Sequence, residues 1–175
     1  MAEAAPSLLT TWSNFYVMTG SSAAALTGLM FVVITLITGR ARTDGLKDSI
    51  AAFSTPTVMS FAAALFVSGA LIAPWHSLAH AGALVALIGL SGVGYMLRVM
   101  YRTRQLTVYT ADLEDWIWYT ILPLGTYGGI AASAIALAVI PALALFALAG
   151  GVALLIFIGI RNAWDVVTYI ATMQR

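Results

Sequence analysis

His76 and His80 stand four residues apart in Trp75-His-Ser-Leu-Ala-His80. On a helix that spacing puts two imidazoles on one face, where they could begin a metal site with symmetry mates adding ligands. No acid lies near the pair and the chain has no cysteine, so interfacial hydrogen bonding is the expected role and no metal is assigned. Without cysteine there is no thiolate metal site, disulfide, Cys nucleophile or iron–sulfur cluster. A Ser–His–Asp arrangement finds only Glu3 as an acid on the side of the histidines. Ser91-Gly-Val-Gly94 lacks the Lys-Ser/Thr that follows a phosphate-cradling loop. No catalytic residue is assigned; the expectation is a non-enzymatic protein without a cofactor.

Uncharged polar residues carry more information. Asn14, Ser21, Gly28 and Thr35 recur every seven residues, close to one helix face. Gly20, Ala24 and Gly28 add small residues four apart. Together, Asn14, Gly20, Ser21, Ala24, Gly28 and Thr35 form either a helix-packing seam with interhelical hydrogen bonds or the lining of a path in an oligomer. A lipid or cofactor groove is a further use of the same face. Pro56, in Ser54-Thr-Pro-Thr57, and Pro123, in Leu122-Pro-Leu-Gly125, each remove a backbone donor. Each is a packed kink, or else a hinge or the source of a cavity-lining carbonyl. Asp112, Glu114 and Asp115 suit the first turn of a helix, with Asp112 as its N-cap. A cation or partner site is the alternative for the three acids.

The elements that carry these residues follow from composition. Of 175 residues 61% are hydrophobic and only 9% charged, and the mean hydropathy is +0.95. Soluble domains are about 25% charged. This excludes an ordinary soluble enzyme and a disordered chain. A net charge of +1 leaves no field for nucleic acid. Five apolar stretches, at about 15–38, 50–73, 80–100, 116–138 and 142–161, can each cross about 30 Å of hydrocarbon as a helix. They show no sustained alternation, so strands are not expected. The fold expected is an all-α, polytopic transmembrane bundle of five spans in one domain. Residues 162–175 are expected to continue the fifth span as a cytoplasmic or interfacial helical tail, with Arg161 and Asp165 paired at i,i+4.

Charge sets the orientation. With five spans, Arg40, Arg42, Lys47, Arg98, Arg102, Arg104, Arg161 and Arg175 all fall on one side. That side is cytoplasmic by the positive-inside rule, which places the N-terminus outside. The five tryptophans then sit near the two interfaces. No positive residue precedes Arg40, so no cleavable leader is expected. Small residues four apart recur in most spans, including Ser60-x-x-x-Ala64-x-x-x-Ser68 and Gly125-x-x-x-Gly129-x-x-x-Ser133. Five helices with so many small faces point to a homo-oligomer.

The opening Trp12-x-x-Phe15 with Gly20-Ser-Ser-Ala-Ala-Ala-Leu-Thr-Gly-Leu-Met-Phe-Val, and the closing Arg161-Asn-Ala-Trp-Asp165, resemble a widespread group of small bacterial polytopic membrane proteins. The resemblance covers the two ends of the chain and implies a multi-pass protein of the bacterial inner membrane; it implies no catalytic residue. A fainter likeness to store-operated calcium channels rests on Ser22-Ala-x-Ala-Leu-x-Gly and Ala52-Phe-Ser. No acidic filter follows the first span, so that family's selectivity chemistry does not transfer. The function expected is a homo-oligomeric channel-like or conduit assembly in the lipid bilayer. The alternative is an accessory or scaffold subunit that docks on a larger membrane complex.

Overall fold

The computed structural model describes residues 4–38, 44–104 and 116–173. It is all-α, with no strand among the described residues. The elements are α1 (Ala4–Thr38), α2 (Asp44–Ile72), α3 (Leu78–Arg104), a π-helical segment (Ile117–Ile121), α4 (Leu122–Ala136) and α5 (Pro141–Met173). Four helices are long and apolar enough to cross a membrane: α1 over Leu8–Leu36, α2 over Thr55–Ile72, α3 over Leu78–Tyr101 and α5 over Pro141–Thr168. The fifth stretch, expected at 116–138, is helical through 116–136, but its first turns have π rather than α winding. The helical tail expected after 161 continues α5 unbroken to Met173. Asp112, Glu114 and Asp115 lie outside the described residues.

Both described turns are built by local chemistry. Between α2 and α3 the Trp75 indole N–H donates to the Ala70 carbonyl at 2.5 Å, and Ser77 Oγ accepts the Ala79 N–H at 3.2 Å. That serine bond caps α3. Between α4 and α5 the Ile140 N–H closes on the Ala136 carbonyl. Pro141 then opens α5, where its missing donor costs nothing.

α2 and α5 form the centre. α1 packs chiefly on α2, and α3 chiefly on α4. α5 packs on both α2 and α4, and α3 also returns to α2. α3 and α4 run antiparallel, Gly82 meeting Ala134 and Gly92 meeting Tyr127, and so do the 116–136 helix and α5, Ile130 meeting Gly151 and Trp118 meeting Asn162; Thr19 of α1 meets Ser68 of α2, and Phe61 of α2 meets Gly159 of α5. The core is apolar, with Tyr16, Phe61, Val67, Leu145, Leu148, Val152 and Leu155 all but fully buried.

Missing side chains let the helices approach. A Cβ on Gly82 would lie 2.6 Å from the Ala134 carbonyl oxygen, and one on Gly89 would lie 2.8 Å from the Ala131 nitrogen. Gly92 faces the Tyr127 ring directly. The α3–α4 seam is therefore backbone against backbone. The small-residue seam expected in α2 also points inward: Ser60, Ala64 and Ser68 are buried.

Candidate functional site

The expected face of α1 divides in two. Gly20 is buried, and a Cβ there would lie 3.1 Å from Ser68 Cβ. Beside it the Thr19 and Ser68 hydroxyls share a hydrogen bond of 3.1 Å. Asn14, Ser21, Ala24, Gly28 and Thr35 are all exposed, turned away from the rest of the chain. The reason is rotational. α1 buries Leu9, Tyr16, Ala23 and Met30 against the core, and the seven-residue polar series lies on the far side of the helix.

The polar groups on that outer face differ in how they are satisfied. Ser22 bonds back to the Met18 carbonyl at 2.8 Å, and Thr35 to the Phe31 carbonyl at 2.8 Å. Such bonds hide a hydroxyl within its own helix. Asn14 and Ser21 make no side-chain hydrogen bond in the described structure. Gly28 has no atom within 4 Å of where a Cβ would stand.

A second polar cluster joins the π segment to α5. In an α-helix the ring of Pro123 would strike the carbonyl of residue 119. The chain widens instead: the Leu122 N–H bonds to the Ile117 carbonyl, five residues back. In this register residue 123 should donate to the Trp118 carbonyl, and proline cannot. The Asn162 side-chain amide supplies that donor, at 3.4 Å. Reciprocally, Tyr119 Oη donates to the Asn162 carbonyl at 3.4 Å. Asn162 is 1% exposed, and its Oδ1 has no partner. The adjoining Arg161 guanidinium lies 5.2 Å from the Trp118 ring centre and pairs with Asp165, as the i,i+4 spacing predicts. π segments inside helices often mark functional positions.

Pro56 is also buried, but within a continuous α-helix. Ser60 Oγ donates to its carbonyl at 3.0 Å. Tyr127 Oη donates to the Met59 carbonyl at 3.2 Å, one residue from Ser60. This hydroxyl cluster ties α4 to α2 beside the proline.

His76 lies in the irregular turn before α3, and both histidines are exposed. The shared helix face expected for them does not form, because α3 begins only at Leu78. Among the described residues no three metal-ligating side chains come together.

α1 and α5 touch near their N-terminal ends, where the Trp12 and Phe146 rings are 4.6 Å apart and Tyr16 Oη donates to the Leu145 carbonyl at 3.3 Å. Toward their C-terminal ends they part around an apolar groove of about 230 Å³. Leu26, Met30 and Val33 of α1 face Ala163, Trp164 and Val167 of α5, with Phe61 also in the lining.

Sequence reasoning found Pro123 and the Asn-Ala-Trp-Asp motif separately and missed their joining through Trp118 and Asn162. The signal was a proline that orphans a carbonyl and an asparagine able to answer it; nothing local says that the two meet. No family model, curated protein or solved structure matches the chain.

Proposed function

We propose that the chain is a non-enzymatic integral membrane protein with five crossings, its N-terminus outside, that assembles into a homo-oligomeric, channel-like conduit through the outer face of α1. The observation that carries this reading is the pair of unbonded polar side chains, Asn14 and Ser21, on an exposed helix face. With the whole apolar stretch Leu8–Leu36 centred in the bilayer rather than 15–38, Asn14 would stand about 12 Å from mid-membrane at 1.5 Å per residue. That is inside a hydrocarbon layer about 30 Å thick. An amide left without a partner there is costly, and water or a second copy of α1 relieves it. The core of a single chain is filled by side chains. A conduit would therefore run between copies.

Five crossings are supported by the antiparallel order of α3, the 116–136 helix and α5. They are also supported by the eight Lys and Arg, which five crossings place at one membrane end. A bacterial inner membrane is inferred from the resemblance at the two chain ends. The test is ion flux in liposomes. Flux by the wild type, abolished by Asn14→Leu and Gly28→Leu in protein that still folds, is the expected result. No flux from any preparation, with a single-chain mass in detergent, overturns it.

The second reading is an accessory subunit that docks on a larger membrane complex. The apolar groove rimmed by the exposed Trp164 favours it. Absence of flux together with recovery of a fixed membrane partner at constant ratio selects this reading.

A further inference from the structure

We propose that Asn162 is the latch of a proline hinge: it holds the 116–122 stretch in π register, and its release lets that stretch rewind to α register and bend about Pro123. A proline inside a helix poses two demands. Its ring must be kept off the carbonyl four residues back, and the carbonyl it leaves without a donor must find another. There are two solutions, a bend or a widened turn. They orphan different carbonyls. In α register the free carbonyl belongs to Tyr119; in π register it belongs to Trp118. The Asn162 amide donates to the Trp118 carbonyl, so it stabilises the widened form and does nothing for the bent one.

The hold is weak by its own geometry. Both bonds between Asn162 and the π segment measure 3.4 Å, at the long end for hydrogen bonds. Asn162 Oδ1 is buried with no partner at all, so half of the amide gains nothing from this arrangement. Rewinding would also draw the Trp118 ring away from the Arg161 guanidinium, while Arg161 keeps its ion pair with Asp165 within α5. The moving part is thus the end of the helix that carries Trp116, Ile117 and Trp118, and α5 is the fixed part.

The chain has no cysteine, so paired spin labels can be placed without background. Ile117 and Ile135 are both exposed, at opposite ends of the π–α4 unit. Labels at these positions in the full chain, in lipid nanodiscs, report its length and bend. The wild type should give one dominant distance. Asn162→Leu removes the amide and keeps the bulk; it should add a second distance. Pro123→Ala removes the reason for widening and should give a single distance different from that of the wild type. A folded Asn162→Leu protein with only the wild-type distance overturns the proposal. Should Asn162→Leu fail to fold, Pro123→Ala decides alone: an unchanged distance shows that the proline does not set the register, and the latch falls with it.

Discussion

A Cβ added at Gly89 meets the Ala131 nitrogen at 2.8 Å and its Cα at 3.0 Å, whereas one added at Gly28 meets nothing within 4 Å. The first contact is with backbone, which can yield only if α3 and α4 separate. Gly89→Ala should therefore destabilise the bundle by about 1–3 kcal/mol, as overpacking does, measured by unfolding in a denaturing detergent. Gly28→Ala should gain up to about 1 kcal/mol from helix propensity in the same assay. A loss at Gly28 in the single chain would mean that its face is covered within the chain. Thr19 and Ser68 provide a second case. Their 3.1 Å bond should show as a coupling of about 0.6 kcal/mol in a Thr19→Val, Ser68→Ala double-mutant cycle, the usual size for such bonds within a membrane.

Among the helices, α5 is the element on which the others depend, because it meets α2 on one side and α4 on the other. Gly159 is where it meets α2: a Cβ there would lie 2.5 Å from Phe61 Cε1. Gly159→Leu should displace the Phe61 ring, which also lines the groove, and cost about 1–3 kcal/mol, measured by unfolding in a denaturing detergent. The 116–136 helix behaves differently from the rest. It is apolar and long, yet it opens in π register because Pro123 stands at its sixth position after Ile117 rather than at its first turn. Pro141, by contrast, sits at the first position of α5, and Pro141→Ala should leave stability nearly unchanged.

For the molecule as a whole, the proposed five crossings and their proposed direction make a prediction that thiol chemistry can check on a cysteine-free background. In intact cells a membrane-impermeant maleimide should modify His76→Cys from outside. Arg104→Cys should react only after the membrane is opened. The reverse pattern would invert the orientation, and modification of both from outside would remove the odd number of crossings. The proposed assembly is testable apart from folding: on that proposal Gly28→Leu lowers the mass in mild detergent to that of the single chain while helical content and unfolding stay as in the wild type.

Composition and spacing determined the class of this protein, because they are local. A stretch too apolar for water and long enough to cross a bilayer is helical wherever it sits, so the apolar parts of α1, α2 and α3, the ends of α1 and α2 and the turn at Ile140-Pro141 were legible; the starts were not, since α1 begins at Ala4 and α2 at Asp44, well before the 15 and 50 expected, a helix running on past its apolar part. The Ser60–Ala64–Ser68 seam was legible as a close-packing pattern for the same reason. Which small face meets which helix was not, since Gly20, Gly82, Gly89, Gly151 and Gly159 look alike along the chain and differ only in the neighbour that arrives. Tertiary structure alone decided that α1 buries Tyr16 and Ala23 and leaves Asn14, Ser21 and Gly28 outside. It alone brought Asn162 to a carbonyl that Pro123 had freed some forty residues earlier. A rotation about a helix axis and a contact between distant segments are set by the sum of all the packing, and no window of sequence contains that sum.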